Sequence, residues 1–157
     1  MTSTIAVITS DFDLSGSVQR AVREMPECDV ETVHPEEIES VAALVAADIC
    51  GVIVHCPDER EEPLTEVILR EARGCRRRLP VIVISDGSRP DLSLSWFQLG
   101  ATECLSRPLD VGRLAFLVES VVQRSRCETS DHQQQPWIEI EEITPYCCVA
   151  EPTHRMM

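Results

Sequence analysis

The run Ile5-Ala-Val-Ile8 is continuously apolar and is followed at once by the polar group Thr9-Ser10-Asp11. A short, unbroken apolar run of this kind is typical of a strand that is buried on both faces of a parallel sheet. Residues 51–54 (Gly-Val-Ile-Val) and 80–84 (Pro-Val-Ile-Val-Ile) repeat the pattern. These three runs predict the centre of a parallel sheet, with polar side chains at the carboxyl end of its first strand.

Segments with helical periodicity lie between these apolar runs. A weaker strand is expected around Val30 and Val33 and a short one at residues 102–105, and apolar residues recur at helical spacing between and after the strands. Five strands alternating with five helices predict a flavodoxin-like α/β domain, doubly wound, with helices on both faces and strand order 2-1-3-4-5. The crevice of such a sheet lies at the carboxyl ends of strands 1, 3 and 4, where the winding reverses.

Charge narrows the range of partners. The chain of 157 residues carries a formal charge of -13, and all 14 of its basic residues are arginine. Such acidity argues against nucleic acid as a direct partner, because binding a phosphate backbone needs a basic face. The one basic cluster, Arg73 with residues 76–78, is interpreted as a solvated helix end whose cations favour the helix dipole.

Cysteine usage and hydropathy favour a cytoplasmic protein. The first ten residues lack the basic and long apolar regions of a secretory signal, and no apolar run is long enough to cross a bilayer. Several of the eight cysteines lie in apolar runs, which favours reduced, buried thiols. The spacing of Cys147, Cys148 and His154 matches no structural zinc pattern. We therefore expect no metal and no cofactor.

Three stretches resemble receiver domains of two-component signalling, the CheY-like response-regulator family. Residues 80–85 resemble the fourth receiver strand, which ends in a Ser or Thr. Residues 99–110 (Leu-Gly-Ala-Thr-Glu-Cys-Leu-Ser-Arg-Pro-Leu-Asp) resemble the run through the fifth strand to the Lys-Pro turn. Residues 5–11 resemble the opening strand, and the likeness extends over residues 4–126. It implies the flavodoxin-like fold and a place in phosphorelay signal transduction.

The resemblance also implies a phosphorylation pocket, and this chain departs from it. A receiver phosphorylates an Asp after strand 3, using Mg²⁺ held by two acidic residues after strand 1, while a hydroxyl and a Lys contact the phosphoryl oxygens. Hard oxygen ligands and neutralising cations are what that chemistry needs. The corresponding positions here form a degenerate pocket of Thr9, Ser10, Asp11, His55 or Cys56, Ser85 and Arg107.

Two neutral hydroxyls cannot replace two carboxylates as Mg²⁺ ligands, and neither His55 nor Cys56 supplies the acceptor Asp. The aromatic switch position of strand 5 is Cys104. The sequence therefore predicts a pseudo-receiver that is silent as a phosphoacceptor and is not an enzyme. We expect Arg107 to close over the pocket and pair with Asp11.

Other hypotheses remain open at this point. The domain could be a divergent receiver that is still phosphorylated, at Asp58 or at His55. A more distant alternative is a small enzyme with Cys56 as nucleophile, but Asp58 and three nearby glutamates would repel an anionic substrate.

The resemblance implies a docking face formed by helix 4, strand 5 and helix 5. This face would carry Leu94, Trp96, Phe97 and Arg113. Neighbouring positions on a helix point in different directions, so one of the first three should remain exposed as an anchor. The expected partner is a second copy of the chain, or a kinase, a phosphotransfer protein or a transcriptional regulator.

The character of the sequence changes after residue 126. We expect a receiver-like domain over residues 1–126 and a linker with an acidic tail over residues 127–157. Residues 137–143 (Trp-Ile-Glu-Ile-Glu-Glu-Ile) alternate apolar and acidic side chains, which suits a strand or a docking peptide, and a disordered tail is the alternative.

Overall fold

A parallel five-stranded sheet forms the centre of the computed structural model, which describes residues 2–38, 40–46, 48–75 and 77–134. The strands are β1 (Ser3–Ile8), β2 (Cys28–Val33), β3 (Ile49–Cys56), β4 (Val81–Asp86) and β5 (Glu103–Arg107). Their order in the sheet is β2-β1-β3-β4-β5, and every neighbouring pair is parallel. The predicted fold and strand order are confirmed.

Helices cover both faces of the sheet. They are α1 (Phe12–Val22), α2 (Val41–Ala46), α3 (Glu62–Gly74), α4 (Pro90–Leu99) and α5 (Val111–Gln134), with a short 3-10 turn at Pro35–Glu37. Asp11 caps α1 by accepting hydrogen bonds from the first turn of backbone N–H groups. Gly100 ends α4 in the left-handed conformation, with φ 112°.

Two apolar clusters pack on opposite faces of the sheet because successive strand residues point to opposite sides. Val7 faces the cluster formed with α1 and α5, and Ile8 faces the cluster formed with α2, α3 and α4. Each fully buried aliphatic side chain stabilises the fold by about 1.5–3 kcal/mol. The result is a rigid sheet whose carboxyl edge can hold polar side chains in fixed positions.

Strand β3 passes close to α5 at Gly51. A Cβ atom at this position would lie 2.6 Å from Val121 Cγ1, so a larger residue would push the helix away from the sheet. The absence of a side chain at Gly51 therefore lets α5, the longest helix that the structure describes, pack close to β3.

Helix α5 continues through residues 127–134, so the first part of the predicted linker is helical. The acidic segment 137–143, Cys147, Cys148 and His154 lie outside the described residues. Within the described part of the chain, no helix is long and apolar enough to cross a membrane. The cysteines that the structure describes are free thiols.

Candidate functional site

The carboxyl ends of the strands bring polar side chains to one edge of the sheet. Thr9 follows β1, His55 and Cys56 end β3, Asp86 ends β4 and Arg107 ends β5. Because all five strands are parallel, these ends meet at the same edge. The strand ends therefore place Thr9, His55, Asp86 and Arg107 at this one edge.

A buried histidine links β1 to β4. His55 is 5% exposed, and its Nδ1 lies 2.9 Å from Thr9 Oγ1. On the other side of the ring, His55 Nε2 lies 2.9 Å from Asp86 Oδ1. Both ring nitrogens therefore have partners, which removes the cost of burying them.

Arg107 links β5 to both carboxylates of the edge. Its Nη1 donates to Asp11 Oδ2 at 2.6 Å and, over a longer distance of 3.4 Å, to Asp86 Oδ1. The hydrogen bond from Arg107 lowers the pKa of Asp11 below its ordinary value, and the same bond raises the pKa of Arg107. The expected pairing of Arg107 with Asp11 is thus present.

These contacts close into a ring, because the backbone N–H of Asp11 donates to Thr9 Oγ1 at 3.0 Å. We call the set Thr9, His55, Asp86, Arg107 and Asp11 the polar ring. It joins the ends of β1, β3, β4 and β5 to the first turn of α1. Each residue of the ring forms a hydrogen bond with the next, so the network holds the carboxyl edge of the sheet in one arrangement.

Asp86 is the member of the polar ring that the sequence analysis did not single out. The alternation of side chains along β4 could have indicated the role of Asp86. His55 pairs with Ile84 in the sheet, and a residue two positions after Ile84 returns to the same face. The carboxylate of Asp86 is therefore placed to meet His55.

The two candidate acceptor residues have different surroundings. Cys56 pairs with Ser85 across the sheet but is 1% exposed and belongs to the apolar cluster with α3. Burial raises the pKa of the Cys56 thiol, which opposes formation of the thiolate that a nucleophile needs. Only His55 of the two reaches the polar ring.

Ser85 is near the site without facing it. Its hydroxyl donates to Gly87 O at 2.9 Å and approaches Leu105 O at 3.4 Å. The side chain is buried and engaged with backbone carbonyls. Ser85 therefore stabilises the turn after β4.

An open hollow of about 470 Å³ lies over the polar ring. Ser10, Asp13, Pro57 and Phe12 line it together with members of the ring. Phe12 is 93% exposed at the first position of α1, and the sequence analysis did not single it out. Asp58 lies on the exposed loop beyond this hollow, where its Oδ1 accepts the N–H of Arg60.

The chemistry open to this site is limited. Thr9, His55 and Asp86 follow the order of a nucleophile, base and orienting acid. However, Thr9 is buried and its oxygen already accepts the Asp11 N–H, so it is an internal link and not an exposed nucleophile. No group of three or more His, Cys, Asp or Glu side chains in the described ranges is arranged to hold a metal ion.

The predicted docking face needs one correction. Trp96 is 1% exposed and packs in the core, because α4 turns this position toward the sheet. Leu94 and Phe97 are 61% and 44% exposed. Arg113 Nη2 lies 3.7 Å from Glu103 Oε1 across α5 and β5. Leu94 and Phe97, and not Trp96, are the large apolar side chains that α4 exposes.

Cys104 takes the aromatic switch position of β5. It is partly buried, and burial raises the pKa of its thiol to about 12. A neutral, packed thiol has no large ring that could swing between an inner and an outer position.

Solved structures of receiver domains share this fold. NtrX from Brucella abortus aligns with 18% identity and a TM-score of 0.66, over 85% of this chain and 29% of that one. A CheY-like protein (tadZ) from Pseudomonas aeruginosa PAO1 aligns with 15% identity and a TM-score of 0.65, over 76% and 99% of the two chains. The signal receiver domain of a putative LuxO repressor protein from Vibrio parahaemolyticus aligns with 18% identity and a TM-score of 0.63, over 87% and 100%.

The likeness is confined to structure. No family model and no curated protein matches the sequence. The chain spans less than a third of the length of the NtrX chain. At these identities the comparisons define the class of fold, which is that of CheY-like receiver domains.

Proposed function

We propose that this chain is a receiver-like signalling domain of a cytoplasmic two-component or phosphorelay system, and that it acts by protein–protein interaction without being phosphorylated. The receiver fold supports the first part of the proposal. The second part rests on the polar ring, since fold alone does not decide activity.

The observation that carries the proposal is the position of Arg107 between Asp11 and Asp86. In a receiver, carboxylates at this edge attract a divalent cation. Here the Arg107 guanidinium already pairs with Asp11 and Asp86 and offsets one of their two charges. The positions of the acidic pair are the hydroxyls of Thr9 and Ser10. A cation would have to displace Arg107 and would find too few oxygen ligands.

The residues at the phosphoacceptor position also support the absence of phosphorylation. His55 is held at both nitrogens and Cys56 is packed in the core, so neither presents a free nucleophile to the hollow. The exposed apolar side chains Leu94 and Phe97 support a constitutive interface on the α4–β5–α5 face. The partner would be a second copy, a kinase, a phosphotransfer protein or a transcriptional regulator.

Incubation with acetyl phosphate and Mg²⁺, followed by intact-mass measurement, tests the absence of phosphorylation. We expect no phosphoryl adduct on the wild-type chain. As a matched control, the variant T9D/S10D/H55D places carboxylates at the two acidic positions and at the strand-3 position that faces the hollow. An adduct on the control alone would show that the assay can detect phosphorylation.

An adduct on the wild type would favour the alternative of a divergent receiver. Peptide mapping and the variants Asp58→Asn and His55→Gln would then assign it to one of the two candidate residues. An acyl phosphate hydrolyses in alkali, in which phosphohistidine is stable, so the two products are distinguishable chemically.

A further inference from the structure

A second cavity lies at the opposite, amino-terminal edge of the sheet. It has a volume of about 470 Å³, and the beginnings of β3, β4 and β5 contribute Cys50, Pro80 and Thr102 to its wall. Leu79, Ala101 and Val121 give it an apolar floor. This size is within the range of small-molecule sites.

Arginines dominate the polar lining of this cavity. The lining side chains include Arg73 and Arg77 before β4, Arg78 beside them, and Arg124 on α5. Glu128 is the one carboxylate among the described lining residues. Four arginines therefore line one concave surface of a chain whose overall charge is -13.

The arginines are not neutralised by the described chain. No carboxylate in the described ranges forms an ion pair with Arg73, Arg77, Arg78 or Arg124, whereas Arg70, Arg89, Arg107, Arg113 and Arg126 all have such partners. Arg76, which the sequence places in the same cluster, lies outside the described residues. Several like charges held around a cavity repel one another unless an anion joins them.

Two of the guanidiniums are held in place by neutral groups. Arg73 Nη1 donates to Gln98 O at 3.4 Å, and Arg77 Nη2 donates to Ser125 Oγ. These bonds leave other N–H groups of each guanidinium free, because one guanidinium carries five donors. Two oriented arginines that keep donors available form a preorganised site for an oxyanion.

We propose that this cavity binds a small molecule bearing a phosphate or diphosphate group. A multiply charged oxyanion matches several forked guanidiniums at once, which a single carboxylate cannot do. The half-exposed ring of Phe97 and the apolar floor would contact the uncharged part of the ligand. Ligand binding here would join α3, α4 and α5, away from the polar ring.

Calorimetric titration of the full chain with inorganic pyrophosphate, at constant ionic strength, tests the proposal. We expect saturable one-site binding that is tighter than binding of inorganic phosphate. Arg78 and Arg124 are exposed, so Arg78→Ala and Arg124→Ala should leave the fold intact. Each should weaken binding about tenfold, since a charge-assisted hydrogen bond contributes on that order.

Two control variants separate a local site from general charge attraction. Arg60→Ala removes the same charge from the opposite edge of the sheet and should not change the affinity. Glu128→Gln removes the lining carboxylate and should strengthen binding roughly threefold. Absence of saturable binding at millimolar pyrophosphate would overturn the proposal. Equal weakening by Arg60→Ala and Arg124→Ala would overturn it as well, because it would show non-specific attraction.

Discussion

Arg107 Nη1 donates to Asp11 Oδ2 at 2.6 Å, and these two residues are 96 positions apart in the chain. The contact ties the end of β5 to the first turn of α1, across the crevice where the winding of the sheet reverses. It also pairs one of the three carboxylates that line the hollow, which are those of Asp11, Asp13 and Asp86.

The Arg107–Asp11 pair makes stability depend on acid pH. The pKa of Asp11 is lowered in the folded state, so the stabilisation is present above its ordinary value of 3.8 and is lost as the pH falls through the folded value. Arg107→Gln should therefore reduce the free energy of unfolding by about 1 kcal/mol at neutral pH. The difference from wild type should shrink below about pH 4. Denaturant unfolding across this range measures it.

Arg60→Gln is the matched control for this series, because Arg60 is exposed and forms no ion pair with a described carboxylate. It should leave stability unchanged. If Arg107→Gln destabilised the protein equally at acid and neutral pH, the ion pair would not be the cause.

The hydroxyl of Thr9 should matter for stability. Thr9→Val keeps the shape of the side chain but removes the partner of His55 and of the Asp11 N–H. A buried polar group left without its partner costs about 1–3 kcal/mol. Thr9→Ser keeps the hydroxyl and should retain most of the stability. A loss in Thr9→Ser that equals or exceeds the loss in Thr9→Val, measured by chemical denaturation, would contradict this expectation, because the methyl group would then contribute at least as much as the hydroxyl.

The thiols of Cys56 and Cys127 should differ in reactivity. Cys56 is buried with a raised pKa, whereas Cys127 is exposed on α5. Alkylation with iodoacetamide should be roughly tenfold or more slower at Cys56, since reaction there requires local opening. Peptide mass mapping over time measures both rates. A faster reaction at Cys56 would revive the hypothesis that it is a nucleophile.

Substitutions on α4 should separate the core from the docking face. Trp96→Ala empties a buried site and should cost about 3–5 kcal/mol. Leu94→Ala and Phe97→Ala remove exposed side chains and should change stability by about 0.5 kcal/mol or less. If the face mediates self-association, the latter two variants should shift sedimentation toward the monomer. Wild-type monomers at high concentration would exclude the homodimer.

Magnesium binding should be weak. With Thr9 and Ser10 in place of two carboxylates, we expect affinity no better than millimolar by calorimetry. The double variant T9D/S10D should bind more tightly. Because Thr9 is buried against His55 and Ser10 is exposed beside the hollow, Ser10→Asp combined with Arg107→Ala is a second route that leaves the Thr9–His55 contact intact. Micromolar affinity of the wild type would contradict the expectation.

The sequence was sufficient for the sheet because apolar runs such as 51–54 can only be buried strands. It also anticipated the pairing of Arg107 with Asp11 from the ends of two strands. It could not assign Trp96 to the core, since three apolar neighbours on α4 leave open which one faces the sheet. Asp86 was missed because its role depends on the register between β3 and β4, a long-range property.

The beginning of the predicted linker shows the limit of composition as a guide. Residues 127–134 are polar, which suggested a connection without regular structure, yet α5 continues through them. Helix formation propagates cheaply once a helix has been nucleated, so a long amphipathic helix can extend into a polar stretch.

One tautomer of His55 gives every hydrogen bond in the polar ring a donor and an acceptor. Thr9 Oγ1 receives the Asp11 N–H, so its single proton is free to point toward His55 Nδ1. A neutral imidazole that accepts at Nδ1 must carry its proton at Nε2, where it faces Asp86. In this arrangement the Thr9 hydroxyl donates to His55, and His55 donates to Asp86. Asp86 Oδ1 then accepts from both His55 and Arg107, and Arg107 also donates to Asp11 at the other side of the ring.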